Sequence, residues 1–231
     1  MKNFKHPYSA VTVSEFWRRW HISLTTWFRD YIYIPLGGSR CAKWKHYRNI
    51  LITFSISGLW HGAQWSYVVW GALNGLYQVV GSLTAPMRQG LERRLRLRED
   101  SVWRRWRKRI VTFVLVDFAW LFFRANSFTS ALGMMRQTVV NPGLGALRHP
   151  LAMITVENLG MGRKDFLVLL VALLVLAVVD TLRQRMDLKA ALDRRNIVVR
   201  YAVYYIILFT ILIFGIYGPE FNAASFIYFQ F

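Results

Sequence analysis

Apolar residues in this chain come in long runs parted by clusters of Lys and Arg, and the runs have helical rather than strand length. From Phe166 to Val179 every residue is apolar, and Tyr201 to Tyr217 is interrupted only by Thr210 and Gly215. With flanking Arg side chains snorkelling outward, these runs predict membrane spans over 166–182 and 201–217. A third run, 110–123, carries Asp117 inside it. Upstream, the 39 residues from Asn49 to Met87 contain no Asp, Glu, Lys or Arg. As one helix they would reach about 58 Å, against about 30 Å for a single crossing. They are therefore expected to fold back as a hairpin over 49–83, with legs near 49–60 and 63–83 and a break at Ser57-Gly58-Leu59-Trp60-His61-Gly62-Ala63-Gln64. The first leg reaches only about 18 Å, which places His61 within the membrane thickness. Irregular backbone is tolerated there only if buried in protein or lining a wet cavity.

Before the hairpin, Thr12 followed by Glu15 has the form of a capping box. At helical spacing Phe16, Trp17, Trp20, Leu24, Trp27, Phe28 and Tyr31 share one side, opposite Glu15, Arg18, Arg19, Thr26, Arg29 and Asp30. This predicts one amphipathic helix over 12–36 that lies in the interface and ends at Pro35-Leu36-Gly37-Gly38. No internal repeat or low-complexity tract interrupts the pattern. The expected fold class is all-α, a multi-pass transmembrane bundle with an amphipathic or re-entrant helix and a broken helical hairpin carrying His61.

Composition strengthens the membrane reading: 55% of residues are hydrophobic and 16% aromatic, and mean hydropathy is +0.26. In a soluble protein a net charge of +18 would suggest nucleic acid as partner, but here the bases sit between apolar runs. Residues 1–48 hold nine Lys and Arg, 88–109 hold ten and 183–200 hold six, whereas 124–165 hold five over a longer stretch. The dense clusters belong on the cytoplasmic side and the dilute one outside. Starting cytoplasmic at Arg109, three crossings leave Phe231 outside, so charge and span count agree. Trp103 and Trp106 within the basic run fit an anionic lipid surface better than nucleic acid. One cysteine, Cys41, excludes an internal disulfide framework and a Cys-rich metal site. Met1 to Val13 has no apolar core and is no secretory signal. Walker, HExxH and GxSxG patterns are missing, so neither an ATPase nor a serine hydrolase has support.

Among the ionisable residues His61 stands out, set between small neighbours in an uncharged hairpin. Two readings stay open from position: a general base that takes a hydroxyl proton in acyl transfer, or a core histidine hydrogen-bonded across helices. His21, on the border of the aromatic face, is either a packing residue or a second functional group able to titrate near neutrality. Asp117 is expected to have a structural partner on another helix. Arg29 and Asp30 order the turn before Pro-Leu-Gly-Gly or face a polar substrate.

Taken as ordered words, Glu15-Phe16-Trp17-Arg18-Arg19-Trp20-His21-Ile22-Ser23-Leu24, then Trp27-Phe28-Arg29-Asp30-Tyr31, Ile34-Pro35-Leu36-Gly37-Gly38 and Ser57-Gly58-Leu59-Trp60-His61-Gly62-Ala63 strongly resemble the membrane-bound O-acyltransferase (MBOAT) family. The resemblance is nearest to its bacterial branch that O-acetylates alginate and other exported polysaccharides, and Phe226-Ile227-Tyr228-Phe229-Gln230-Phe231 also looks like that branch. The chain resembles the C-terminal half of a typical member, one that follows a further block of N-terminal transmembrane helices.

The resemblance implies acetyl transfer from a cytoplasmic thioester, acetyl-CoA by analogy, to hydroxyls of an exported polysaccharide reached from the outer side, directly or through a serine of a periplasmic or extracellular partner. It maps the family's invariant histidine onto His61 and its second histidine onto His21, with Trp60 and Trp20 walling the channel and Arg29 and Asp30 holding the adjoining turn. No tightly bound cofactor, no metal and no nucleic acid are expected, and the expected location is the bacterial cytoplasmic membrane, multi-pass. A D-alanyl or lipid O-acyltransferase, or a noncatalytic polysaccharide-export subunit, remains the alternative, since fold and motif leave the donor open.

Overall fold

A computed structural model describes residues 3–95, 101–125, 127–140 and 163–215, and all regular secondary structure among them is helical. The chain forms two compact units, 1–142 and 143–231. The ending 226–231 and the last part of the span expected over 201–217 lie outside the described residues.

In the first unit a 3-10 turn, Pro7–Ser9, leads into α1 (Val13–Arg19) and α2 (Ile22–Phe28). Thr12 caps α1 by accepting the Glu15 amide at 3.1 Å, while the Glu15 carboxylate reaches back to the Val11 amide at 2.8 Å. That is the expected capping box with its return bond one residue earlier. The single amphipathic helix expected over 12–36 is not formed as one piece. His21 adopts φ 42°, ψ 55°, the left-handed region in which a non-glycine residue is uncommon. The N-terminal strand of chain is laced into this break: the Lys5 amide donates to the Arg19 carbonyl, the Ile22 amide to the Asn3 carbonyl and the Ser23 amide to Asn3 Oδ1. These tertiary hydrogen bonds take over the groups that a continuous helix would have satisfied within itself. A π-helical turn, Arg29–Tyr33, follows α2.

The break divides the aromatic stripe. Phe16, Trp17 and Phe28 are buried, whereas Trp27 and Tyr31 are exposed and pack on each other. The following glycines bend the chain at φ 104° for Gly37 and 55° for Gly38. Asn49, fully buried, fastens that bend to the next helix by donating to the Leu36 carbonyl at 2.9 Å and the Gly38 carbonyl at 3.2 Å.

The hairpin is α3 (Lys43–Trp60) and α4 (Trp65–Leu83). α3 begins six residues before the expected leg, in a stretch where Lys45 and Arg48 lie over the Trp44 ring, an arrangement suited to a lipid headgroup boundary. Its legs pack along glycine. A Cβ on Gly71 would come within 3.0 Å of both the Gly58 amide nitrogen and the Phe54 carbonyl carbon, and one on Gly58 within 2.9 Å of the Tyr67 carbonyl carbon. Only Gly permits such backbone approach, and small residues serve this purpose between membrane helices.

Helix α5 (Ala85–Arg94) continues to α6 (Val102–Arg124) and α7 (Phe128–Val140). α6 contains the expected 110–123 run behind two strongly basic turns. Thr112, Val116, Ala119 and Phe122 form its buried stripe, and Val116, Ala119 and Phe122 join Val13, Phe16, Trp17 and Trp70 in one core. Glu92 ties α5 to α6 through ion pairs with Arg104, Arg107 (3.0 Å) and Lys108 (3.6 Å). The Arg104 hydrogen bond, the largest cause, holds the Glu92 carboxyl well below its usual range, at about 2.

The second unit holds α8 (Arg163–Arg185), α9 (Leu188–Asp193) and α10 (Ile197–Phe214). Asn196 caps α10 by accepting the Val199 amide at 2.9 Å. Among the described residues two segments, Lys164–Arg183 and Ile197–Phe214, are long and apolar enough to cross a membrane.

Candidate functional site

The hairpin break presents His61. α3 ends there because Gly62, at φ 145°, cannot continue a helix and α4 restarts only at Trp65. The His61 amide donates to the Gly58 carbonyl at 3.0 Å, which seats the imidazole at the C-terminal edge of α3. The residue is only 8% exposed.

Its walls come from three helices. Ring centroids lie 4.8 Å away for Trp60 of α3, 5.3 Å for Trp70 and 6.4 Å for Tyr67 of α4, and 4.9 Å for Phe123 of α6. Trp60, Trp70 and Phe123 meet the imidazole near edge-on, at 80°, 87° and 81°, the orientation aromatic quadrupoles favour. Such walls orient a ring and keep bulk water from it. Trp60 itself is 51% exposed.

The cluster extends to the other histidine. Trp120 packs on Phe123 at 5.1 Å, on Trp70 at 5.6 Å and on Trp20 at 5.6 Å, and Trp20 precedes His21. His21 stands beside it, its ring 6.2 Å from Phe4, which meets Trp20 edge-on at 5.0 Å. The structure thus brings together His61, His21, Trp60 and Trp20, four residues singled out in the sequence. The left-handed backbone at His21 makes this possible: the helix path breaks there and Trp20 turns into the cluster, stacked on Phe16 at 5.5 Å. A strained conformation of this kind persists only where the surroundings hold it, here the hydrogen bonds that Asn3 accepts and Lys5 donates.

Arg29 and Asp30 are not joined to that group. They form an exposed pair at 2.7 Å on the π-helical turn, consistent with ordering the turn. Asp117 departs from the expectation of a structural partner on another helix: it is exposed on α6, no ion pair to it occurs among the described residues, and its effect is a charge felt by the Tyr8 hydroxyl. Its place on the helix decides this, one residue past buried Val116 and two before buried Ala119. Among the described residues no group of three or more His, Cys, Asp or Glu is gathered as for a metal ion.

Trp70, Tyr67, Phe123 and Trp120 were missed by sequence reasoning, which looked for ionisable groups. A signal existed in α4, where Ser66, Tyr67, Trp70, Gly71, Asn74, Gly75 and Val79 are the buried positions. Their spacing of three and four marks one helix face, with Gly71 and Gly75 in the small-xxx-small relation of packed membrane helices. The same face holds Asn74, whose Oδ1 accepts the buried Trp17 Nε1–H at 3.1 Å and whose Nδ2 donates to the Trp70 carbonyl at 2.9 Å.

Comparison with known proteins places this site in a described context. Residues 2–107 match the sequence model of MBOAT, the membrane-bound O-acyltransferase family, so the resemblance carried by the motif words holds over that stretch. The chain is 41% identical over 134 residues to the probable alginate O-acetylase AlgI of Pseudomonas aeruginosa, covering 58% of this chain and 24% of that protein. It is 36% identical over 137 residues to the peptidoglycan O-acetyltransferase of Helicobacter pylori, covering 59% and 24%. Over 85 residues it is 33% identical to the teichoic acid D-alanyltransferase of Streptococcus thermophilus, covering 34% and 20%. The chain therefore spans about a quarter of the length of the relatives it matches.

Proposed function

With residues 2–107 being membrane-bound O-acyltransferase sequence, we propose that this chain is part of an O-acetyltransferase of the cytoplasmic membrane that moves an acetyl group from a cytoplasmic thioester to hydroxyls of an exported polysaccharide. The observation that carries this reading is the aromatic cage of His61 at a glycine-flanked hairpin break, joined through Trp120 to Trp20, the residue before His21.

In this reading His61 is the general base. The acceptor hydroxyl gives its proton to the neutral imidazole as its oxygen bonds to the thioester carbonyl carbon. The tetrahedral adduct then collapses, the carbon–sulfur bond breaks, and the proton passes from His61 to the leaving sulfur. One ester and one thiol result, and the histidine ends as it began. Trp60, Trp70 and Phe123 keep water from competing as acceptor, since hydrolysis of the thioester is the side reaction a closed site must suppress. His21 orients the thioester from the side of the basic N-terminal segment. Acetyl-CoA is the donor we assign, the phosphates of CoA suiting the Lys and Arg of residues 1–48, and the acceptor is an alginate-like polysaccharide, met directly or through a serine of an extracytoplasmic partner. Support comes from the alginate and peptidoglycan O-acetylating relatives, which match a larger share of this chain, 58% and 59%, than the D-alanyl relatives do, 34% and 32%.

The test is the O-acetyl content of exported polysaccharide in cells carrying the complete gene as wild type or His61→Ala, with membrane abundance measured by immunoblot. A general base is worth about 10²–10⁴ in rate, so O-acetylation is expected to fall at least about 100-fold at equal abundance. Unchanged O-acetylation at equal abundance would remove His61 from the chemistry.

A further inference from the structure

Two buried polar atoms in the aromatic cluster have no hydrogen-bond partner among the described residues: Trp120 Nε1 and His21 Nδ1. Buried polar groups are paired in the great majority of cases, and an exception calls for a reason. The case of Trp120 is the sharper, because an indole N–H donates and cannot accept. Elsewhere this core satisfies such a group, as Trp17 Nε1 donates to Asn74. Trp120 also stands at the centre of the cluster. Its ring packs against Trp70 and Phe123, which touch His61, and against Trp20, which precedes His21. Its ring therefore links the wall of His61 to the segment that carries His21.

Resting on the acyl-transfer reading above, we propose that the Trp120 indole N–H is the donor for the carbonyl oxygen of the acyl thioester. During the step written above, the carbonyl π pair moves onto that oxygen as the acceptor oxygen bonds to carbon. The N–H meets the negative charge there, and the pair returns to re-form C=O as the thiolate leaves. A fixed donor aimed at developing charge in a dry site is among the strongest rate effects available to a protein side chain.

The experiment uses the complete protein in detergent or nanodiscs, as wild type, Trp120→Phe, and with benzothienylalanine at position 120, which keeps the bicyclic shape and replaces N–H by sulfur. Acetyl-CoA and CoA are the binding probes, and acetyl-CoA consumption with a polysaccharide acceptor gives the rate. Both variants are expected to lose about 10²-fold in kcat, the worth of one oxyanion donor, with weaker binding of acetyl-CoA and unchanged binding of CoA, which lacks the carbonyl. A benzothienylalanine protein within twofold of wild type in rate overturns the proposal and leaves the acetyltransferase reading standing. Equal loss of affinity for CoA and acetyl-CoA assigns Trp120 to packing and likewise overturns it. Wild-type protein that neither binds nor consumes acetyl-CoA overturns the acetyl-CoA reading and this proposal with it.

Discussion

Gly71→Ala tests whether close backbone contact in the hairpin is what presents His61. A Cβ at this position would lie 3.0 Å from the Phe54 carbonyl carbon and 3.0 Å from the Gly58 nitrogen, whereas unstrained carbon contacts sit at about 3.5–4.0 Å. All the obstructing atoms are backbone, so no side chain can swing aside and the legs of the hairpin must separate by about half an ångström or more. Overpacking of this sort costs about 1–3 kcal/mol. Ala regains up to about 1 kcal/mol of helix propensity over Gly, leaving a net loss of about 1–2 kcal/mol. Gly81 is the matched control on the same helix, since nothing lies within 4 Å of the Cβ it would gain. Gly81→Ala should be neutral or stabilising by up to about 1 kcal/mol. The measurement is thermal unfolding of the complete protein in detergent, followed by loss of the monodisperse peak in size exclusion. The two alanine variants must move in opposite directions or differ by more than about 1 kcal/mol. A Gly71→Ala protein as stable as Gly81→Ala would refute the claim that the legs meet at Gly71.

The same preparation carries two further tests. Asn74→Leu leaves the Trp17 N–H without its acceptor inside the core, which costs about 1–3 kcal/mol, and Trp17→Phe in that background should recover part of the loss; a full additive loss in the double variant would show that the hydrogen bond is not what matters. Glu92, with its carboxyl held at about 2 from an ordinary 4.5, adds stability that is complete above about pH 4.5 and drains away as pH falls toward 2, because the folded state binds its proton less readily than the unfolded chain. Arg107 is half exposed, so screening reduces this to about 1 kcal/mol; Glu92→Gln should lose about that much at pH 7 and little at about pH 2, and an equal loss at both pH values would contradict the assignment.

Much was legible in the linear pattern because a membrane imposes its rules locally. Apolar run length and the spacing of Lys and Arg report solvent preference residue by residue, so 166–182 and most of 201–217 read correctly as apolar helices, as did the capping box at Thr12 and the hairpin turn around His61. Ordered motif words also singled out His21, Trp20 and Trp60 before any contact was known.

The helical break at His21 was not legible. Every residue from Val13 to Phe28 is acceptable in a helix, and the cost of the left-handed turn is offset by hydrogen bonds with Asn3 as acceptor and Lys5 as donor, residues that precede the helix in sequence and return to it only in the fold. The walls of the site lay equally beyond sequence reading. Phe123 and Trp120 sit about sixty residues from His61, and an aromatic in an apolar helix looks the same whether it faces lipid or an imidazole. Sequence by itself determined which segments avoid water, where the cap at Thr12 and the hairpin turn at His61 fall, and which ionisable groups sit among apolar ones. Tertiary structure alone decided which faces meet, because the glycine contacts of α3 and α4 and the packing of α6 set the rotation of each helix about its axis, and that rotation determines which side chains surround the histidine.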